Sequence, residues 1–172
     1  SATCQQIVTV EDNESPIITC PAISGSISTG ANDCLVTLSE LGVPTATDNC
    51  SPVANITFTA DQTGPFGVGT HTVIWTATDA DGNEATCPQT FTVVDDIQPV
   101  LDLDPLPDVQ GDICGTVNVN QPTATDNCDG TIFGTTTDST SFTTIGVRTI
   151  TWTYTDSNGN TITQTQNVIV VS

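Results

Sequence analysis

Basic side chains are almost missing from this sequence: Arg148 is its one Lys or Arg, against 20 acidic residues, for a formal net charge of −19. Nucleic acid is thereby excluded as a partner, and anionic membrane surfaces are repelled, because affinity for either rests on clustered Lys and Arg. Apolar runs are short as well. Nothing approaches the roughly 18 residues of a membrane-spanning helix, so no membrane insertion is expected. The opening SATCQQIVTV has neither the charged n-region nor the apolar h-region of a signal peptide, and the chain reads as an excerpt from a longer exported protein. No CxxC pair and no Cys/His spacing suited to zinc occurs.

What is present is acid of one kind. Sixteen of the 20 acids are Asp, and short carboxylates suit turns and calcium sites better than helix surfaces. An acidic, solubilising coat would account for the same composition, so position has to decide between the two. Seven cysteines without zinc spacing favour an oxidising extracellular compartment, with the protein cell-surface attached or secreted.

The chain aligns with itself. EATCPQTFTVVDDIQPV, from Glu84, lies over SATCQQIVTVEDNESPI, from Ser1, matching Cys87 to Cys4, Val93 to Val10, Asp95 to Asp12 and Pro99 to Pro16. WTATDADGN, from Trp75, overlays WTYTDSNGN, from Trp152, and ATDNC occurs at 46–50 and again at 124–128. Residues 1–10 therefore read as the last strand of a truncated upstream repeat, followed by repeats at 11–94 and 95–172. Units this small bury only about 60–65% of their unfolded surface, so staples from disulfides or metal ions are expected.

Within a repeat the period is two: His71, Val73, Trp75 and Ala77 alternate with Thr72, Ile74, Thr76 and Thr78, the mark of half-buried strands. Asp81-Gly82 and Asn158-Gly159 read as two-residue hairpin turns with positive φ at both positions. Short strands, frequent turns, a Trp on one strand and no βαβ alternation predict an all-β chain of tandem immunoglobulin-like antiparallel sandwiches arranged end to end.

The order Pro-x-x-x-Cys-Pro, Cys, P-x-ATDNC, VG-T-x-T-V-x-W-TATDADGN, ATC and a VTV-like strand resembles the hyalin repeat (HYR) module over nearly the whole chain. The resemblance implies extracellular immunoglobulin-like modules of adhesion proteins, among them the very large, threonine-rich adhesins of gliding bacteria. It implies no enzymatic activity. Neighbouring repeats of the same chain are the expected partners, with a polysaccharide or surface protein beyond them. The second repeat departs from the pattern, having Leu103 and Gln164 where the first has Cys20 and Cys87. Because partners tend to be lost together, the expected pairs are Cys20 with Cys87, Cys34 with Cys50 and Cys114 with Cys128. Cys4 is left for a partner upstream. A disulfide needs Cα atoms within about 7 Å, so either the chain folds back near Gly42 or the Cys34–Cys50 pairing is wrong.

In an immunoglobulin-like sandwich the lead-in to the first strand, the second-to-third loop and the last hairpin turn share one pole. The first repeat places Glu11, Asp12 and Asn13, then Asp48 and Asn49, then Asp79, Asp81 and Asn83 there. The second places Asp95, Asp96, Asp126, Asn127, Asp156, Asn158 and Asn160. Converging carboxylates, amides and carbonyls are what calcium requires, and calcium is the expected cofactor. Two alternatives compete. Asp and Asn also cap turns, and a Cys34–Cys50 bond would carry Asp48 toward the opposite pole.

Other motifs carry less. Threonine rows such as Thr149, Thr151, Thr153 and Thr155 could suggest an ice-binding face but are ordinary outward strand residues. Asn13, Asn49 and Asn55 fit the N-glycosylation pattern at near-chance frequency. His71 and Arg148 take equivalent positions and read as strand-surface cations near carboxylates. No GxSxG or metalloprotease motif occurs, and paired-carboxylate chemistry would need a cleft, so no catalytic residue is assigned. A competing reading makes the exposed loops at 61–69 and 129–141 a direct glycan- or protein-binding surface.

Overall fold

The structure, a computed structural model, describes residues 3–112 and 114–172. It divides into two compact units, the first comprising Ser1–Ile27 with Leu35–Val94 and the second Ser28–Cys34 with Asp95–Ser172. The segment Ser28–Cys34 thus lies inside the first repeat in sequence but belongs to the second unit in space.

The first repeat contains β1 (Ile17–Thr19), β2 (Ile27–Ser28), β3 (Thr45–Thr47), β4 (Thr57–Ala60), β5 (Gly69–Thr78) and β6 (Glu84–Val94), all in the first unit except Ser28 of β2. Strand order is β2-β6-β5-β4 in the larger sheet, and β1 pairs with β3. The β5–β6 hairpin dominates, in register from Gly69 opposite Val93 to Thr78 opposite Glu84. Period-two alternation turns Val73, Trp75 and Ala77 inward. Threonine rows face out, where Thr70 meets Thr92 and Thr72 meets Thr90 through their hydroxyls, the cross-strand contact that steadies a solvated face. Val36, Leu41, Phe66, Phe91 and Val93 complete the core.

The second unit contains β7 (Val100–Leu101), β8 (Val109–Asp112), β9 (Val117–Asn118), β10 (Thr123–Asp126), β11 (Gly130–Phe133), β12 (Ser141–Phe142), β13 (Gly146–Thr155) and β14 (Thr161–Val171). Its sheets run β13-β14-β8 and β11-β10-β7, with β12 beside β9. Ile150, Trp152, Tyr154, Val168 and Val170 from the β13–β14 hairpin pack with Val117, Val119, Ala124 and Phe142. Gly111 is required on β8, since a Cβ there would meet Val117 Cγ2 at 2.3 Å.

Each core holds a Trp–Gln pair that the alternation pattern hides. Trp75 Nε1 donates to Gln89 Oε1 at 2.7 Å, and Gln89 Nε2 donates to the carbonyls of Leu41 and Pro21. Trp152 and Gln166 repeat this at 3.0 Å, with Gln166 Nε2 on the Pro107 carbonyl. The glutamines are buried and keep both the indole N–H and loop carbonyls from being buried unpaired, which would cost about 1–3 kcal/mol each.

Several expectations need correction. Residues 3–10 form no strand, and Ile7, Val8 and Val10 are exposed; among the described residues no sheet edge takes up their backbone groups. The hairpin turns are five-residue loops, because the Asp79 and Asp156 N–H groups donate to the carbonyls of Asn83 and Asn160. Only Gly82 and Gly159 take positive φ there, and no described non-glycine residue does. His71 is half-buried beside Phe66 and Phe91, with Nε2 2.7 Å from the Gly67 carbonyl. In place of the expected carboxylate, Arg148 donates to Thr144 Oγ1 and lies over the Phe142 ring.

The disulfides differ most. Cys20 is bonded to Cys87, but Cys34 is bonded to Cys128, and Cys4, Cys50 and Cys114 are free and exposed. The expected pairs Cys34–Cys50 and Cys114–Cys128 are therefore not formed. Cys50 stays in the first unit, its N–H held by Asp48 Oδ1 at 2.9 Å. Cys34 lies in the second, where Asn127 Nδ2 donates to the carbonyls of Gly30 and Asp33 and to Thr29 Oγ1. That clamp leaves the Cα atoms of Cys34 and Cys128 4.7 Å apart.

Candidate metal centres

In the first unit three loops converge: the lead-in to β1 brings Asp12, the loop after β3 brings Asp48, and the β5–β6 turn brings Asp79. One ligand oxygen from each lies within 4.8 Å of the others. Asp48 therefore shares the pole of Asp12 and Asp79, and the alternative tied to a Cys34–Cys50 bond falls with that bond. In the second unit Asp95 and Asp126 group with Cys128 Sγ, although that sulfur is committed to its disulfide.

The carboxylates divide their labour. Asp48 Oδ1 accepts the N–H groups of Cys50 and Ser51, and Asp126 Oδ1 those of Cys128 and Asp129 at 2.8 and 2.9 Å. Asp12 Oδ1 accepts from Glu14, and Asp95 Oδ1 from Ile97. These bonds fix each turn through one oxygen, the capping role that short acids favour. The second oxygens of Asp12, Asp95 and Asp126 are buried and accept no hydrogen bond. So is Asn127 Oδ1. Asp95 and Asp126 are only 6% and 4% exposed, and a buried charged oxygen with no donor is costly unless a cation faces it.

Asp79 and Asp156 have a different role. Asp79 Oδ1 accepts from Asp81 and Asn83 N–H, and Oδ2 from Asn83 Nδ2; Asp156, Asn158 and Asn160 repeat the pattern. The amides of Asn83 and Asn160 also donate to the carbonyls of Asp12 and Asp95, both at 3.2 Å. Each turn is thus tied to the lead-in that bears its acid. Asp81, Asp96 and Asn158 are exposed, and neither Asp81 nor Asp96 belongs to a group; Asp96 instead accepts from Ser28 Oγ. Asp129, not among the expected ligands, accepts from Ser157 Oγ and N–H. Its only signal was its place directly after ATDNC.

Electrostatics follow from these surroundings. Burial pushes the Asp95 carboxyl above its ordinary range, with the charges of Asp126, Asp156 and Asp129 adding to it against the pull of the Ile97 N–H. The Asn83 side-chain amide, followed by backbone N–H groups, holds Asp79 below the usual range. Asp102 is lowered by the Thr123 and Thr125 hydroxyls. The negative charge of Asp12, foremost, raises the Cys50 thiol.

The signs give a pH profile for the metal-free protein. A raised folded-state pKa at Asp95 penalises folding at neutral pH, and the penalty disappears as pH falls through that value to the ordinary Asp value near about 4. A depressed value at Asp102, in the same unit as Asp95, stabilises above that ordinary value and is lost below it. In chelator, the melting temperature of the second unit is therefore expected to rise on mild acidification from pH 7 and to fall again below about pH 4. Thermal scans across that range check this; a monotonic fall from pH 7 would contradict it.

Comparison with known proteins agrees with the sequence resemblance. No curated protein matches the chain significantly. Among solved structures it is similar to Drosophila N-cadherin EC1-4, with 14% identity over 92% of this chain and 50% of that one, at a TM-score of 0.44. It is also similar to a protocadherin gammaB7 EC3-6 cis-dimer structure, with 15% identity over 94% and 52% at 0.40. The chain thus spans about half the length of these relatives. Structures of Clostridium thermocellum CbhA fibronectin(III)-like modules are similar at 15% identity over 90% of this chain and 94% of that one, with a TM-score of 0.30. Residues 110–170 match the HYR-like domain with 4 cysteines, although only Cys114 and Cys128 fall within them. Residues 11–94 match the HYR domain, and with both repeats so matched the chain belongs to the HYR family.

Proposed function

We propose that this chain is a structural and adhesive segment of a large repeat-built surface protein, in which each unit is stiffened by a calcium ion held at its acidic pole. HYR membership makes it an extracellular, adhesion-type module, and two disulfides fit that compartment. The observation that carries the calcium reading is the pair of buried, donor-free oxygens on Asp95 and Asp126, with Asp12 and Asp48 in the equivalent places. All are hard oxygen donors, the set suited to calcium; zinc would want thiolate or imidazole. Asp12, Asp48 and Asp79 would hold the ion in the first unit, and Asp95 and Asp126 in the second. A bound cation would cancel the repulsion among acids that have no basic neighbour, and would lock three loops to one point.

The loops proposed as an alternative binding surface are engaged internally. Asp61 Oδ1 accepts the Ile74 N–H at 2.8 Å and Asp138 Oδ2 the Thr151 N–H at 2.8 Å, which favours a scaffold over a recognition surface. Thermal unfolding with calcium against chelator tests the proposal. Both units are expected to melt higher at millimolar calcium, and an unchanged profile would overturn it.

A further inference from the structure

From the Cys34–Cys128 bond we infer that Cys114 and Cys50 are the two halves of a second bond of the same kind, made between modules: Cys114 of one copy of this chain joins Cys50 of another. Cys34 follows β2 and Cys128 closes the second ATDNC. Translated by one repeat, these positions become Cys114, which follows β8, and Cys50, which closes the first ATDNC. β2 and β8 are equivalent, each lying beside the last long strand of its unit, β6 or β14. Both untaken cysteines are exposed.

The receiving side of the observed bond is also duplicated. In the second unit Asn127 Nδ2 clamps the backbone of the arriving segment at Gly30 and Asp33, while Asp95 and Asp96 accept from Thr29 and Ser28. The first unit has Asn49 beside Cys50, with Asp12 and Asn13 in the places of Asp95 and Asp96. There the Asn49 amide is turned onto the Glu14 carboxylate, leaving the cysteine beside it exposed. The partner is thus a second HYR unit presenting its segment after β8. Because the two cysteines are different positions of the chain, the bond between copies is heterologous and propagates rather than closes. This holds whether or not the acidic poles bind calcium.

Bond formation removes two protons and two electrons from the Cys114 and Cys50 thiols. Oxidised glutathione supplies the oxidant: one thiolate attacks it to give a mixed disulfide, the second displaces glutathione, and two glutathione thiols are released. The test uses the full chain with Cys4→Ser, so that only Cys50 and Cys114 are free, incubated at high concentration in glutathione redox buffer. Non-reducing gels and size-exclusion chromatography are expected to show a ladder of oligomers. Adding Cys50→Ser or Cys114→Ser abolishes every species above monomer. Mixing those two variants restores a dimer alone, and peptide mapping finds Cys50 bonded to Cys114. Persistent monomer, an intramolecular Cys50–Cys114 bond, or dimers formed by either single variant with itself would each overturn the inference.

Discussion

Replacing Asp126 with asparagine is expected to abolish calcium stabilisation of the second unit without weakening the metal-free protein. Asparagine keeps an oxygen to cap the N–H groups of Cys128 and Asp129. It removes the charge from a side chain that is 4% exposed and whose second oxygen has no donor. Calcium at about 100 times its dissociation constant would contribute roughly 2.7 kcal/mol. A domain of this size shifts by about 4–8 °C per kcal/mol, so the lost increment is on the order of 10–20 °C. In chelator the variant should melt at or above the parent, because a buried, uncompensated charge has gone. The first unit should respond to calcium as before. Calorimetric scans of parent and variant, each with calcium and with chelator, read both halves; a variant that keeps the parent's calcium shift would refute the assignment of Asp126.

Serine at both Cys20 and Cys87 is expected to cost the first unit about 4 kcal/mol on the chain-entropy model, since the bond closes a separation of 67 residues. A unit of this size has only about 5–10 kcal/mol in total, so the variant should be partly unfolded at 37 °C. The second unit manages the same place without sulfur. Gln164, standing where the first repeat has Cys87, donates to the Leu103 carbonyl at 2.7 Å and accepts from the Tyr154 hydroxyl at 3.1 Å. Leu103 itself stands where the first repeat has Cys20, so a hydrogen bond joins the two positions that the disulfide joins in the first unit. Gln164→Ala would leave the Tyr154 hydroxyl, in a fully buried side chain, unpaired, at a cost of about 1–3 kcal/mol. Urea denaturation should rank the double serine variant as the more damaging; a loss below about 1 kcal/mol there would contradict the account.

How far the sequence could be read follows from what self-alignment compares. Matching Asp95 to Asp12 and Asp126 to Asp48 pointed to carboxylates that the fold groups in each unit, whereas Asp156, matched to Asp79, lies outside the second group. Local turn chemistry reproduces itself in each copy, so those positions fold alike. The division of labour within a carboxylate, one oxygen capping and one unpartnered, is a matter of angle and depth that no spacing encodes. Cys34 was misassigned for a related reason. Superposing repeats treats each as closed, whereas Ser28–Cys34 leaves its own repeat for the next unit. The cue lay in the arithmetic of loss: Cys114 and Cys128 survive together whether they bond each other or bond neighbours on either side. The Trp–Gln pairs were visible only as two glutamines at matching positions, on strands where alternation alone calls for apolar residues.

Counting bound calcium on the whole chain, by isothermal titration calorimetry after exhaustive chelation, decides whether the acidic groups hold metal. One ion is expected in each acidic group, with Asp126→Asn losing one and Asp48→Asn the other. No binding at millimolar calcium, or an unchanged count when both asparagines are present, would contradict it.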